Sequence, residues 1–288
     1  MQALVSTAWL AAELMKSPGG KPDLMVFDAT KYLPNENRDG RAEFLAAHIP
    51  GARYFDIDDF ADQDSALPHM IPTAGRFEKL ASTMGIANNT RVVFYDQKGI
   101  ASSARGWWLM GLFGHDNAAV LDGGLPKWRK EDRAVASGAP LAAPASHYLA
   151  AFRPQRLRGV GDVIGNLTTQ AELVLDARAA GRFTGAQKEI RPGVRSGHIP
   201  GSANLPYNEL LSADGTFLAP DALRARFAQA GVDGKKQVVT TCGSGVTACI
   251  LTMGMQLAGL PAAAVYDGSW TEWGSRTDTP VETPVEKK

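Results

Sequence analysis

Cysteine is nearly missing from this chain, whose 288 residues hold two, Cys242 and Cys249. Two cannot staple a fold of this length, and their spacing is neither that of a redox pair nor that of a zinc site. A reducing compartment fits, and a cytoplasmic location is expected. An excess of either charge is missing too, because thirty Lys and Arg balance thirty Asp and Glu. With no net basic field to attract a nucleic-acid backbone or an anionic membrane, neither is expected as a partner. No apolar run reaches the roughly 18 residues of a membrane span. The N-terminal stretch lacks a basic lead and carries Glu13 inside its apolar run, so Ser6 or Thr7 reads as a helix cap rather than part of a secretory signal. What is present is 44% apolar residues, enough for the cores of two ordinary domains.

The chain is written twice. Leu24-Met25-Val26-Phe27-Asp28-Ala29 recurs as Leu173-Val174-Leu175-Asp176-Ala177, and His48-Ile49-Pro50-Gly51 as His198-Ile199-Pro200-Gly201. Arg91-Val92-Val93-Phe94-Tyr95-Asp96 matches Gln237-Val238-Val239-Thr240-Thr241-Cys242, and Leu121-Asp122-Gly123 with Trp128 matches Tyr266-Asp267-Gly268 with Trp273. Four landmarks in one order mean duplicated domains. Strand-like runs alternate with helical stretches at 77–84, 104–113, 220–230 and 247–259, which predicts two tandem α/β domains, each a parallel sheet flanked by helices on both faces. The Pro-, Gly- and Ala-rich segment 136–147 reads as a linker between domains at 1–135 and 148–280, with a frayed tail at 281–288.

Duplication supplies a control: features of both halves are assigned to the fold, and features of one half to function. His48 and His198 recur at equivalent turns and count as fold, as do Trp128 and Trp273. The loop after Val238-Val239-Thr240-Thr241 does not recur. It reads Cys242-Gly243-Ser244-Gly245-Val246-Thr247 and opens a helical stretch, whereas the first half has Asp96-Gln97-Lys98-Gly99. Strand, glycine-bearing loop and helix can curl backbone N–H groups toward one point, where the helix N-terminus also favours an anion. Cys242 is therefore expected as an accessible thiolate of depressed pKa at the centre of its own anion site. In the first half an aspartate stands at that position, cannot act as a sulfur nucleophile, and is expected to repel an anion. Cys249, one turn into the helix, reads as a packed core thiol.

The paired His-Ile-Pro-Gly turns and the loop from Cys242 to Thr247 resemble the 3-mercaptopyruvate sulfurtransferases, the two-domain branch of the rhodanese superfamily. Thiosulfate-using members of that architecture place Arg and Lys directly after the cysteine, where this chain has Gly243 and Ser244. The resemblance implies that Arg182 and Arg191 hold the substrate carboxylate, a planar group suited to a guanidinium fork, although a solvated surface role remains open for Arg191. It also implies a relay of Asp58, His69 and Ser244, while a helix cap or surface acid fits Asp58 equally. Gly243, Gly245, Val246 and Thr247 belong to the cradle. The implied reaction is attack of Cys242 on the sulfur of 3-mercaptopyruvate, release of pyruvate, and transfer of the persulfide sulfur to a small thiol, cyanide or a thioredoxin-like protein. No metal or organic cofactor is called for. Thiosulfate:cyanide sulfur transfer is the alternative within the superfamily. A cysteine phosphatase typically needs a loop arginine six positions after the cysteine, where Ala248 stands, and a non-catalytic anion-binding module is the remaining alternative.

Overall fold

A computed structural model describes residues 1–16, 23–140, 142 and 144–283. The first five strands are β1 (Leu4–Val5), β2 (Leu24–Asp28), β3 (Arg53–Tyr54), β4 (Arg91–Tyr95) and β5 (Ala118–Leu121). They form one parallel sheet in the order β1-β5-β4-β2-β3. The helices between and after them are α1 (Thr7–Met15), α2 (Gly40–Ala46), α3 (Ala74–Thr83), α4 (Ser103–Leu112) and α5 (Gly124–Lys130). Ser6 caps α1 by accepting from the Trp9 N–H. The second set repeats the pattern with β6 (Leu157–Arg158), β7 (Glu172–Asp176), β8 (Ala203–Asn204), β9 (Gln237–Thr241) and β10 (Ala264–Tyr266), in the order β6-β10-β9-β7-β8. Its helices are α6 (Val160–Thr169), α7 (Ala180–Phe183), α8 (Pro220–Gln229), α9 (Ala248–Leu257) and α10 (Ser269–Ser275). No helix among the described residues is long and apolar enough to cross a membrane.

The registers repeat as well. Asp28 stands opposite Tyr95 across β2 and β4, and Asp176 opposite Thr241 across β7 and β9. Each duplicated histidine turn takes one edge of a returning segment, His48 pairing antiparallel with Ala136 and His198 with Glu282. The imidazoles play one role twice: His48 Nδ1 lies 2.8 Å from the Phe44 carbonyl and His198 Nδ1 lies 2.9 Å from that of Phe183. Trp128 and Trp273 are buried, each closing its core with an indole N–H donated to a carbonyl, that of Ala134 and that of Pro280. Segment 281–283 of the expected frayed tail is thus tied down at Glu282. Residues 284–288, with Leu141 and Ala143 of the expected linker, lie outside the described residues.

The chain forms two compact units whose composition departs from a single cut. One comprises Met1–Gln63, Ile71–Arg153 and Ser212–Phe217, and the other Asp64–Met70, Pro154–Leu211 and Leu218–Lys288. The expected linker therefore falls within the first unit. His69, from the first half of the sequence, belongs to the second.

The duplicated aspartates at the ends of β2 and β7 are satisfied differently. Asp28 accepts from the backbone N–H and hydroxyl of Thr30 and from Gln97 Nε2, whereas Asp176 takes a buried guanidinium, that of Arg178. Burial pushes the Asp28 carboxyl up to about 6 from 3.8, against the pull of those hydrogen bonds. The folded state then binds this proton more tightly than the unfolded chain, so the group's contribution is full below its unfolded value and is lost as pH rises through about 6. Asp28→Asn keeps the acceptor for Thr30. It is expected to gain up to about 3 kcal/mol relative to the parent between pH 4 and pH 7. Urea unfolding at the two pH values measures this, and an unchanged difference between the proteins would contradict it.

Candidate active site

In each sheet the chain runs outward on one side of the central pair of strands and returns on the other, so the loops after β7 and β9 emerge side by side at their carboxyl ends, the usual ligand position in an open parallel sheet. The loop after β9 carries Cys242. That after β7 leads through Arg178 to α7 with Arg182. Sequence distance between arginine and thiol is thereby closed by strand order.

Residues 242–247 curl from β9 into α9, and Gly245 supplies the left-handed turn at φ 77°. The loop is fastened from α10. The Ser269 hydroxyl accepts from the Cys242 N–H at 3.2 Å and donates to the Tyr266 carbonyl at 2.7 Å. Trp270 N–H donates to the Cys242 carbonyl at 3.0 Å and Thr271 N–H to that of Gly243 at 2.8 Å. The N–H groups of Val246, Thr247 and Ala248 have no acceptor among the described residues. They are the donors the loop holds in reserve. Both cysteines are thiols rather than a disulfide. Cys242 is 2% exposed, which corrects the expectation of an accessible thiol: it stands at the end of a central strand, with the fastened loop wrapped over it. Cys249 is fully buried and donates from Sγ to the Gly245 carbonyl at 3.2 Å, a packing role.

The first unit shows what such a loop does with an anion. Oδ2 of Asp96 accepts from the N–H groups of Ala101, Ser102 and Ser103 at 2.9, 3.0 and 2.9 Å, and Oδ1 from that of Lys98 at 3.0 Å. The expectation that Asp96 repels an anion is corrected by this geometry. Its carboxylate is the anion, and it fills the cradle from within.

Around Cys242 the second unit gathers most of the residues named from sequence. His69 Nδ1 lies 2.9 Å from Ser244 Oγ, both side chains being buried. His69 holds this place in a left-handed backbone conformation, φ 62°, rare for a residue with a side chain. Arg182 lies over Gly243: a Cβ there would stand 3.3 Å from Arg182 Nη2, so the small residue after the thiol makes room for the guanidinium. Arg182 Nη2 donates to Glu189, while its Nε is buried without an acceptor. Arg178 pairs with Asp176 and stacks over Trp270 at 4.4 Å. Trp270 is itself buried, its indole donating to the Arg195 carbonyl. Arg191, two residues beyond Glu189, is half-buried. Asp58 belongs to the first unit, where its half-exposed carboxylate pairs with Lys31. Glu189 was missed from sequence, since an acid in a loop reads as a solvated side chain. The signal available was its place between the two arginines, in a segment that the first half has only in shortened form.

Fold and site define a duplicated parallel α/β protein in which one loop carries a cysteine, Cys242, where the other carries an aspartate, Asp96. The model of the rhodanese-like domain matches residues 11–131 and again 160–276, and the chain belongs to the rhodanese family. The 3-mercaptopyruvate sulfurtransferase of Rattus norvegicus is 43% identical over 277 residues, covering 96% of this chain and 93% of that protein. The thiosulfate sulfurtransferase of Bos taurus is 40% identical over 287 residues, covering 99% and 95%. Among solved structures, the 3-mercaptopyruvate sulfotransferase SseA of Escherichia coli superposes with a TM-score of 0.83 at 33% identity, covering 94% of this chain and 99% of that one.

Proposed function

We propose that the chain is a sulfurtransferase that moves sulfur from 3-mercaptopyruvate to a thiophilic acceptor through a persulfide on Cys242. The observation that carries the reading is the self-filled cradle of the first unit. An aspartate Oδ2 and the terminal sulfur of a cysteine persulfide stand at the same bond count from Cβ. Counted from the first residues of α4 and α9, the amides of Ala101, Ser102 and Ser103 that hold Asp96 Oδ2 correspond to those of Val246, Thr247 and Ala248. These three donors receive the terminal sulfur, with the N-terminus of α9 behind them.

In the first half-reaction the Cys242 thiolate forms an S–S bond to the substrate sulfur. The C–S bond breaks, and its electron pair passes to the departing carbon as the pyruvate enolate. Ser244, backed by His69, delivers a proton to that carbon, while the substrate thiol proton is given up as the persulfide ionises. Arg182 and Arg191 hold the carboxylate. In the second half-reaction an acceptor thiolate or cyanide takes the outer sulfur and the thiolate returns. A small thiol or a thioredoxin-like protein serves as acceptor, and the reducing environment this requires fits a cytoplasmic location. Among the described residues no cluster of His, Cys, Asp or Glu is arranged to hold a metal ion.

Thiosulfate transfer is kept as a second reading because of the bovine relative. Gly243 and Ser244 disfavour it, since neither offers a cation to a compact dianion. Incubation with 3-mercaptopyruvate is expected to add one sulfur to Cys242 by mass spectrometry with release of pyruvate, and kcat/KM is expected to favour mercaptopyruvate over thiosulfate. Preference for thiosulfate would reverse the assignment.

A further inference from the structure

We propose that Glu189 is a positioning residue for the substrate carboxylate: it fixes Arg182 over the Cys242 loop and so sets the affinity for an α-keto acid. The inference rests on the sulfur-transfer reading above. The Glu189 side chain is buried, 3% exposed, and it spans two guanidinium groups. Oε1 accepts from Arg178 Nη1 at 2.7 Å, and Oε2 accepts from Arg182 Nη2.

The two arginines differ in freedom. Arg178 is held on every side: Nε and Nη2 donate to Asp176 Oδ2 at 2.9 and 2.7 Å, Nη2 also reaches the Gly197 carbonyl at 2.8 Å, and the plane lies over Trp270. Among the described residues Arg182 has Glu189 as its one ion-pair partner, and a long side chain loses considerable rotamer freedom when fixed. Glu189 therefore passes the rigidity of β7, through Asp176 and Arg178, to a guanidinium that otherwise samples several rotamers. Because Glu189 is itself held by Arg178, it is a fixed strut rather than a mobile competitor for the substrate. It occupies Nη2 and leaves Arg182 Nε, buried and without an acceptor, as the donor for an incoming carboxylate oxygen. Such a donor is costly to leave unpaired and strongly rewarded by an anion. The same strut anchors the segment that carries Arg191.

Glu189→Gln keeps the shape and removes the charge, and Glu189→Asp keeps the charge one methylene short. For the Gln variant, KM for 3-mercaptopyruvate is expected to rise about tenfold with kcat within twofold, and calorimetric affinity for pyruvate to fall by a similar factor. Discharge of sulfur-loaded Cys242 by a small neutral thiol, a step without a carboxylate, is expected to stay within twofold, and Glu189→Asp to recover part of the loss. Equal decline of both half-reactions would mark Glu189 as merely structural, and unchanged or tighter pyruvate binding would also overturn the proposal. A parent enzyme that binds pyruvate but takes no sulfur from mercaptopyruvate would sink the reaction assignment while the titration still decides Glu189. Failure of the parent to bind pyruvate at all would sink the strut as well.

Discussion

Replacement of Cys242 by serine is expected to abolish pyruvate release from 3-mercaptopyruvate, lowering kcat/KM on the order of 10⁴-fold or more. A hydroxyl at this position is a poor nucleophile toward sulfur and cannot store sulfur as a persulfide. The cradle would remain, because the contacts that fasten the loop run through the backbone of residues 242 and 243 and the side chains of Ser269 and Thr271. Unchanged thermal unfolding should therefore accompany the lost activity. Cys249 cannot substitute, since it is sealed in α9 against the Gly245 carbonyl. Persistent turnover in the serine variant would mean that another group handles the sulfur.

The second large effect is on stability and lies in the unit without the thiol. Asp96→Ala removes an anion that satisfies four backbone N–H groups, three of them at one oxygen. Hydrogen bonds to a charged group contribute about 1.5–3 kcal/mol each, less than additively, and buried donors left bare oppose folding. The variant is expected to lose roughly 3–5 kcal/mol in urea unfolding, with partial recovery in millimolar sulfate as an external anion enters the emptied nest. A loss below about 1 kcal/mol, or no response to sulfate, would mean that water satisfies those amides equally well.

The duplicated design was legible because its landmarks are local: a strand ending in aspartate, a His-Ile-Pro-Gly turn, a loop with glycine at a tight bend. Local chemistry also placed the histidines, since His48 and His198 meet the same carbonyl geometry. What escaped was anything set by tertiary contact. Whether a loop carboxylate repels an anion or plays one depends on where Lys98 and Ala101 to Ser103 point their N–H groups, which residue type alone does not state. Burial of Cys242 follows from the loop being fastened to α10, an element that begins 27 residues later. Glu189 pairs with two arginines of its own β7–β8 connection, a folding of that segment on itself that residue type alone does not state. His69 was named from family likeness, yet sequence gives no reason to expect either its left-handed backbone or its membership in the second unit.

The interleaved make-up of the two units bears on any attempt to dissect them. A fragment beginning near residue 154 retains the nucleophile but discards the imidazole that faces Ser244, because that imidazole is encoded 175 positions earlier. The complementary fragment forfeits residues 212–217, including Phe217, whose amide donates to Asp122. Gene truncation would thus yield two incomplete bodies, and recombination of halves between relatives would have to move two short peptides against the grain of the message.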